Sequence, residues 1–302
     1  MARNLEKAEY AKLFVHAKVS PETNVDDLDI IPMACDHTSF HSIRRFCKDL
    51  RKKLNDLSSV SEGKERVGID VMCLNAAVLV GENEKPQFTE DDIEVTFQTN
   101  HLAPFLIANL TYDLINPGGR VVVTSSGLYA YSTFGSFAGI IDQQSGRARK
   151  HFHTISGSQF DHKKSYSESK LCNVAFCLEL NRRLQKRNAV AVCFTPGLIP
   201  TSGLFRNQKQ WSETAMKKRA IGMDETEEWG GCLLAWMAVS DEAGKTGGEF
   251  WRAPYGISKR GGSIPKDLFS AELSEEAANP NNQEILWKLS AELTCIMDDL
   301  IS

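Results

Sequence analysis

Short apolar runs alternate with longer amphipathic ones along the chain. Gly68-Ile69-Asp70-Val71-Met72-Cys73-Leu74, Arg120-Val121-Val122-Val123-Thr124 and Ala189-Val190-Ala191-Val192-Cys193-Phe194 are mostly apolar, and each predicts a buried strand. Asp29 to Cys35 reads as a further strand with an imperfect middle at Pro32, and Gly247 to Trp251 as a last one. Phe40 to Leu54 predicts a helix, with Phe40, Ile43, Phe46, Cys47 and Leu50 on one face and many cations on the other. Asp91 to Ile115, Ser165 to Lys186, Glu225 to Val239 and Gln283 to Ile301 predict further helices, and the opening residues are helix-like. Pro117-Gly118-Gly119 is a turn, and Pro196-Gly197 closes a strand. Strands apolar on both faces need cover on both, so the alternation predicts an α/β fold, a doubly wound parallel sheet between helical layers. No repeat or linker-like tract divides residues 1–302, which read as a single domain.

Composition narrows the class without naming a chemistry. Apolar residues make up 42% and charged residues 25%, as in ordinary globular chains. A net charge of -4 gives no electrostatic reason to expect nucleic acid, and no apolar run is long enough to span a bilayer. The eight cysteines form no Cys-x-x-Cys pair, and several sit in apolar runs, so buried thiols are expected. His151 and His153 flank Phe152 without a carboxylate or thiol cluster, so no metal site is expected.

Four features that carry chemistry fall in a fixed order: Asn75-Ala76-Ala77 ending one strand, Asn100 in the next helix, Ser125-Ser126-Gly127 ending the following strand, and Tyr166-Ser167-Glu168-Ser169-Lys170 opening the helix after that. Ligands of open parallel sheets bind at the carboxyl ends of the strands. Carbonyl reduction needs a hydride on carbon and a proton on oxygen. A tyrosine with a pKa of about 10 is a sluggish acid. A lysine four residues on shares its helix face and would draw that pKa down. A serine hydroxyl can hold the substrate oxygen against the phenol, and a helix asparagine can anchor a water that relays protons to the lysine. Tyr166 and Lys170 alone would make an ordinary solvated helix pair; the ordered set points to a reductase site.

At these residues the sequence resembles the short-chain dehydrogenase/reductase family. Asn75-Ala76-Ala77 stands where the family has Asn-Asn-Ala-Gly or Asn-Ala-Ala, and Asn100, Ser126, Tyr166 and Lys170 fall on its catalytic tetrad. Within the family, the stretches Ala2–Glu9, Thr99–Leu102, Ser169–Asn173, Pro196–Arg206 and Ile285–Ser290 resemble the light-dependent protochlorophyllide reductases and their relatives. The resemblance implies a Rossmann-type fold, NADPH as cofactor and a small hydrophobic substrate. It implies that Arg3 pairs with the 2′-phosphate and Asp36 contacts adenine. Asn75, Ala76, Ala77, Pro196 and Gly197 would line the cofactor, Tyr166 and Lys170 would hold it, and Thr201 would meet the nicotinamide carboxamide or the phosphates. The 39 residues between Ser126 and Tyr166 would help to wall the substrate pocket, with Phe205 and Trp211 near it. Homo-oligomers and a cytoplasmic or plastid location are compatible with it.

Two departures qualify that reading. Leu198 stands where the protochlorophyllide enzymes usually have a cysteine after Pro-Gly, and leucine cannot donate a proton. The glycine-rich phosphate loop is missing too, so the domain is expected to be incomplete at its N-terminus, without its first strand–helix–strand. The runs at 29–35 and 68–74 would then lose the neighbour they share. Three readings stay open: a protochlorophyllide reductase-like oxidoreductase, a retinol- or steroid-type dehydrogenase, and a non-catalytic interaction scaffold derived from a truncated dehydrogenase.

Overall fold

The computed structural model describes residues 1–18, 29–60, 67–81, 85–206, 217, 219–245 and 247–296. They fall into two compact units, Met1–Val67 and Gly68–Ser302.

The first unit holds two helices, α1 (Leu5–Lys18) and α2 (Phe40–Val60). The predicted face of α2 is buried at Phe40, Ile43, Phe46 and Cys47. The strand expected over Asp29–Cys35 does not form. Ala34 makes one isolated parallel bridge to Ala2, with Ala2 N–H donating to Met33 O at 3.1 Å and Cys35 N–H to Ala2 O at 2.8 Å. Pro32 has no N–H to give a ladder, and a strand without a long partner has nothing to pay for its extended backbone.

The second unit is built on a five-stranded sheet in the order β1-β2-β3-β4-β5: β1 (Ile69–Leu74), β2 (Ile115–Thr124), β3 (Val190–Phe194), β4 (Phe250–Arg252) and β5 (Phe269–Ala271). The first four pair in parallel, and β5 adds antiparallel to β4. The helices are α3 (Val95–Phe97), α4 (Ala103–Leu110), α5 (His162–Leu184), α6 (Glu227–Val239), α7 (Asp241–Gly244), α8 (Glu275–Ala278) and α9 (Pro280–Thr294). Side chains from this sheet are buried on both faces. Val122, Val192 and Phe194 pack with Leu233 and Met237 of α6 on one side. On the other, Phe105 of α4 meets Trp287 of α9 edge-on at 4.9 Å and Phe176 of α5 at 5.8 Å.

Several boundaries move for local reasons. The helix predicted from Asp91 starts at Val95, because the Glu94 carboxylate caps it by accepting from Thr96 N–H and Phe97 N–H, each at 3.0 Å. Between α3 and α4 lies a π turn, Gln98–Leu102, closed by Ala103 N–H donating to Gln98 O. Pro117-Gly118-Gly119 does not end the strand: β2 begins at Ile115, and its register with β1 slips as Ile69 pairs with Ile115 and Val71 with Arg120. The last parallel strand starts at Phe250, since Gly247 and Gly248 have φ of 64° and 67°. The predicted helix from Gln283 to Ile301 begins at Pro280, behind the cap of Asn279, and α9 ends at Thr294; residues 297–302 lie outside the described residues. Cys73 is exposed, whereas Cys35, Cys47, Cys172, Cys177 and Cys193 are buried. No helix among the described residues is long and apolar enough to cross a membrane.

The Phe105 ring is fully buried among Phe176, Trp287 and His101. Replacing it with alanine removes its contacts and leaves a cavity. Phe105→Ala is expected to lower unfolding stability by about 3–5 kcal/mol, read as a shifted urea midpoint at unchanged slope.

Candidate active site

The carboxyl ends of β1, β2 and β3 meet at one edge of the sheet. There the chain leaves β1 through Asn75, β2 through Ser125 and Ser126, and β3 through Thr195 to Gly197, and these turns border a cavity of about 600 Å³. Helix α5 brings in Tyr166 and Lys170. Asp161 caps this helix by accepting from Lys164 N–H at 2.8 Å. That start places Tyr166 and Lys170 one turn apart on the face toward the cavity, and both line it.

The polar groups of the site hold one another. Lys170 is 1% exposed, and its Nζ donates to Thr124 O at 3.1 Å. Ser125 Oγ donates to Lys170 O at 2.8 Å, which ties the end of β2 to the helix a second time. Thr124 Oγ1 donates to Asn75 Oδ1 at 2.9 Å and fixes the turn after β1. The Ser126 hydroxyl acts on the Tyr166 phenol, and the Lys170 ammonium stands 5.6 Å from the phenol ring centroid. Burial pushes the Tyr166 pKa up to about 12, with the Ser126 hydroxyl opposing it. Burial likewise pushes Lys170 down to about 8. The depressed tyrosine pKa expected from the sequence is therefore overridden here, since desolvation outweighs a cation already engaged by a carbonyl.

Asn100 lies beneath the cavity in the π turn and is fully buried. Its Oδ1 accepts from Val78 N–H at 2.8 Å, and its Nδ2 donates to Val78 O at 3.0 Å and to Ser169 Oγ at 3.0 Å. Both amide protons are used, so this side chain clamps the segment after β1 to α5.

Among the residues singled out by sequence, Asn75, Ala76, Ala77, Ser126, Tyr166, Lys170, Pro196 and Gly197 border the same cavity. Thr201 is exposed on the following turn and does not line it. Arg3 and Asp36 belong to the first unit, where Arg3 Nε lies 3.6 Å from Asp36 Oδ1. Leu198 lines the cavity. Trp211 lies outside the described residues.

Phe205, expected near the pocket, does line it, and other walls come from residues that the sequence did not mark. The apolar walls come from Leu79, Leu198, Ile199, Leu204, Phe205 and Leu234, with Tyr255 at one side. Buried Glu225 holds two of these walls: its N–H donates to Leu198 O at 2.7 Å, and its carboxylate accepts from Ile257 N–H at 3.1 Å and Ser258 N–H at 3.0 Å. Gly197 has a φ of 88°, and a Cβ there would stand 2.6 Å from Glu225 Cγ, so only glycine fits this turn. The long stretch before α5 contributes Gly127 and Leu128 to the cavity; the rest folds on its own apolar centre of Phe134, Phe137, Ile140, Phe152 and Ile155. Glu168 fastens that centre to α5, accepting from Ile155 N–H at 2.8 Å and Ser156 Oγ at 2.5 Å. The expectation that this insertion walls the pocket is thus met by two residues only.

A parallel sheet with Ser126, Tyr166 and Lys170 at one cavity on its carboxyl edge is similar to what the sequence resemblance implies. Solved structures agree on the fold. A short-chain dehydrogenase of Burkholderia cenocepacia, in complex with NADP, matches 82% of each chain at a TM-score of 0.53 and 17% identity. An uncharacterized protein of Mycobacterium paratuberculosis matches 98% of this chain and 83% of its own at a TM-score of 0.61 and 21% identity. In sequence the chain resembles protochlorophyllide reductases: it is 28% identical over 278 residues to the chloroplastic enzyme of Marchantia paleacea, covering 86% of this chain. It spans 56% of the length of that relative. No protein-family model matches the chain.

The buried lysine sets a pH signature. Its folded pKa of about 8 lies below the ordinary 10.5, so between these values the unfolded chain binds more protons than the native one. Stability therefore rises with pH across that window, and the cost of the buried charge is fully present below about pH 8. Lys170→Met should abolish this rise: urea melts at intervals from pH 7 to about 10.5 are expected to show wild type gaining on the variant through the window.

Proposed function

We propose that this chain is an NADPH-dependent oxidoreductase, protochlorophyllide reductase-like in its architecture, that reduces a carbonyl or conjugated double bond of a hydrophobic substrate. The observation that carries the reading is that Ser126, Tyr166 and Lys170 line one cavity together with apolar side chains such as Leu79, Ile199, Leu204 and Leu234. The relatives' names support the same chemistry, as does the NADP of the Burkholderia neighbour.

The residues present suit the nicotinamide half of such a cofactor. Gly197 lines the cavity, and the Lys170 ammonium can exchange the Thr124 carbonyl for ribose hydroxyls. Asn75, Ala76, Ala77 and Pro196 would border it. Bound NADPH supplies a hydride. The protein's own contribution is the proton. Tyr166 is protonated throughout the neutral range because burial raises its pKa, which is the form a reduction needs. Ser126 holds the substrate oxygen beside the phenol, Lys170 stabilises the phenolate left after transfer, and Asn100 keeps the segment between them in register. Leucine at position 198 lacks a transferable proton, which favours a dark reduction of retinal-like or steroid-like carbonyls over pigment photochemistry.

The 302-residue chain is expected to bind NADPH with a dissociation constant in the micromolar range, about 8 kcal/mol, and to lose that binding in Lys170→Ala. Tyr166→Phe should keep the cofactor and lower turnover about 100- to 10,000-fold. Fluorescence titration and NADPH oxidation in the dark and under light, with apolar carbonyls and protochlorophyllide in parallel, provide the readings. Absence of binding up to millimolar NADPH would overturn the enzyme reading for this chain and favour the scaffold.

A further inference from the structure

Behind Lys170 lies a second polar line that the proposed proton transfer does not use. His101 follows Asn100 in the π turn, is fully buried, and sits among the rings of Phe97, Phe105 and Phe176. Burial holds its pKa down at about 3, so the ring is neutral around neutral pH. A neutral imidazole has one N–H and one bare nitrogen. Nε2 lies 2.9 Å from Ser290 Oγ of α9. The other nitrogen, Nδ1, has no partner of good geometry, and neither has Asn173 Oδ1; both are buried away from solvent. The Asn173 side chain is nevertheless the group whose contact offsets the burial of the ring. Asn173 is 2% exposed, and its Nδ2 points to Thr124 O at 3.5 Å, the same carbonyl that receives Lys170 Nζ at 3.1 Å.

One protonation pattern would give each group its best available neighbour: Nδ1–H toward the Asn173 carbonyl oxygen, Nε2 accepting from the Ser290 hydroxyl, and the Asn173 amide N–H left for Thr124. The opposite carboxamide orientation would set its oxygen against the Thr124 carbonyl, the acceptor that Lys170 already uses.

We propose that His101 and Asn173 are positioning residues: the imidazole locks the Asn173 carboxamide so that its N–H side, and not its oxygen, faces the Thr124–Lys170 contact. Asn173 thereby withholds a second acceptor from the ammonium, and Lys170 keeps only the Thr124 carbonyl, which it can surrender to a ligand. The titratable groups facing Lys170 among the described residues are Tyr166 on its own helix and Cys193 on β3. The inference concerns the machinery of the proposed reductase, yet the pairing can be tested without cofactor or substrate.

The test follows the Lys170-linked rise of stability with pH, taken as the difference between each background and the same background carrying Lys170→Met. In wild type it should begin near pH 8. In His101→Phe the freed carboxamide turns its oxygen to the lysine, so the rise should begin at higher pH and shrink. His101→Asn, which keeps an amide N–H near the Nδ1 position, should restore the wild-type window. Asn173→Leu removes the competing donor from Thr124 and should also move the window up, so the comparison survives if His101→Phe does not fold. A role confined to packing would lower stability equally at every pH and leave the window in place in both variants; that result overturns the proposal. Failure of NADPH binding with the predicted shift intact would count against the reductase reading and leave this pairing standing.

Discussion

A lysine removed from water needs an acceptor, and here the acceptor is the last carbonyl of β2. The contact from Lys170 Nζ to Thr124 O at 3.1 Å joins the central parallel strands to the longest helix of the second unit. Much else is arranged around it. Ser125 returns a bond to the Lys170 carbonyl, Asn75 is held by the Thr124 hydroxyl, and Asn173 reaches the same carbonyl from one turn further along α5. An unpaired buried ammonium would be far costlier than any of these bonds is favourable. The end of β2 and the start of α5 therefore behave as one piece, and the cavity opens where they meet.

Two buried carboxylates extend that piece in opposite directions. Glu94 caps the helix bearing the π turn and accepts from Ser165 Oγ at 3.0 Å, one residue before Tyr166. Glu168 binds the folded insertion to the same turn of α5. Burial raises the pKa of each, and backbone N–H donors oppose that rise. Neither is placed to react with a ligand. They set the azimuth of α5, and with it the direction of the phenol.

The sequence was most readable where the contacts are local or periodic. Four-residue spacing placed Tyr166 and Lys170 on one face of α5, and continuous apolar runs located β1 and β3 within a residue or two. What it concealed is long-range. Asn100 was singled out, but its partners Val78 and Ser169 lie 22 and 69 residues away, and nothing local marks them. The tyrosine pKa was misjudged because burial, unlike the lysine spacing, is a property of the whole fold. Residues 29–35 have strand-forming side chains but no ladder to join, which shows how far β structure depends on its neighbours. The wall supplied by Tyr255, and Glu225 that braces the neighbouring turns, come from loops with no periodicity to read.

The sheet ends at β1, whose ladder among the described residues runs to β2 alone. Its outward side shows Val71, 38% exposed, and Cys73, and its sequence carries a single charge, Asp70. A strand edge can act as a template: N–H and C=O groups at strand spacing take up an extended segment that reaches them. Natural edges are usually blunted by lysines, prolines or bulges, and this one has one slipped register and one carboxylate. Among the described residues, β1 is therefore a place where a further extended segment could join the parallel sheet.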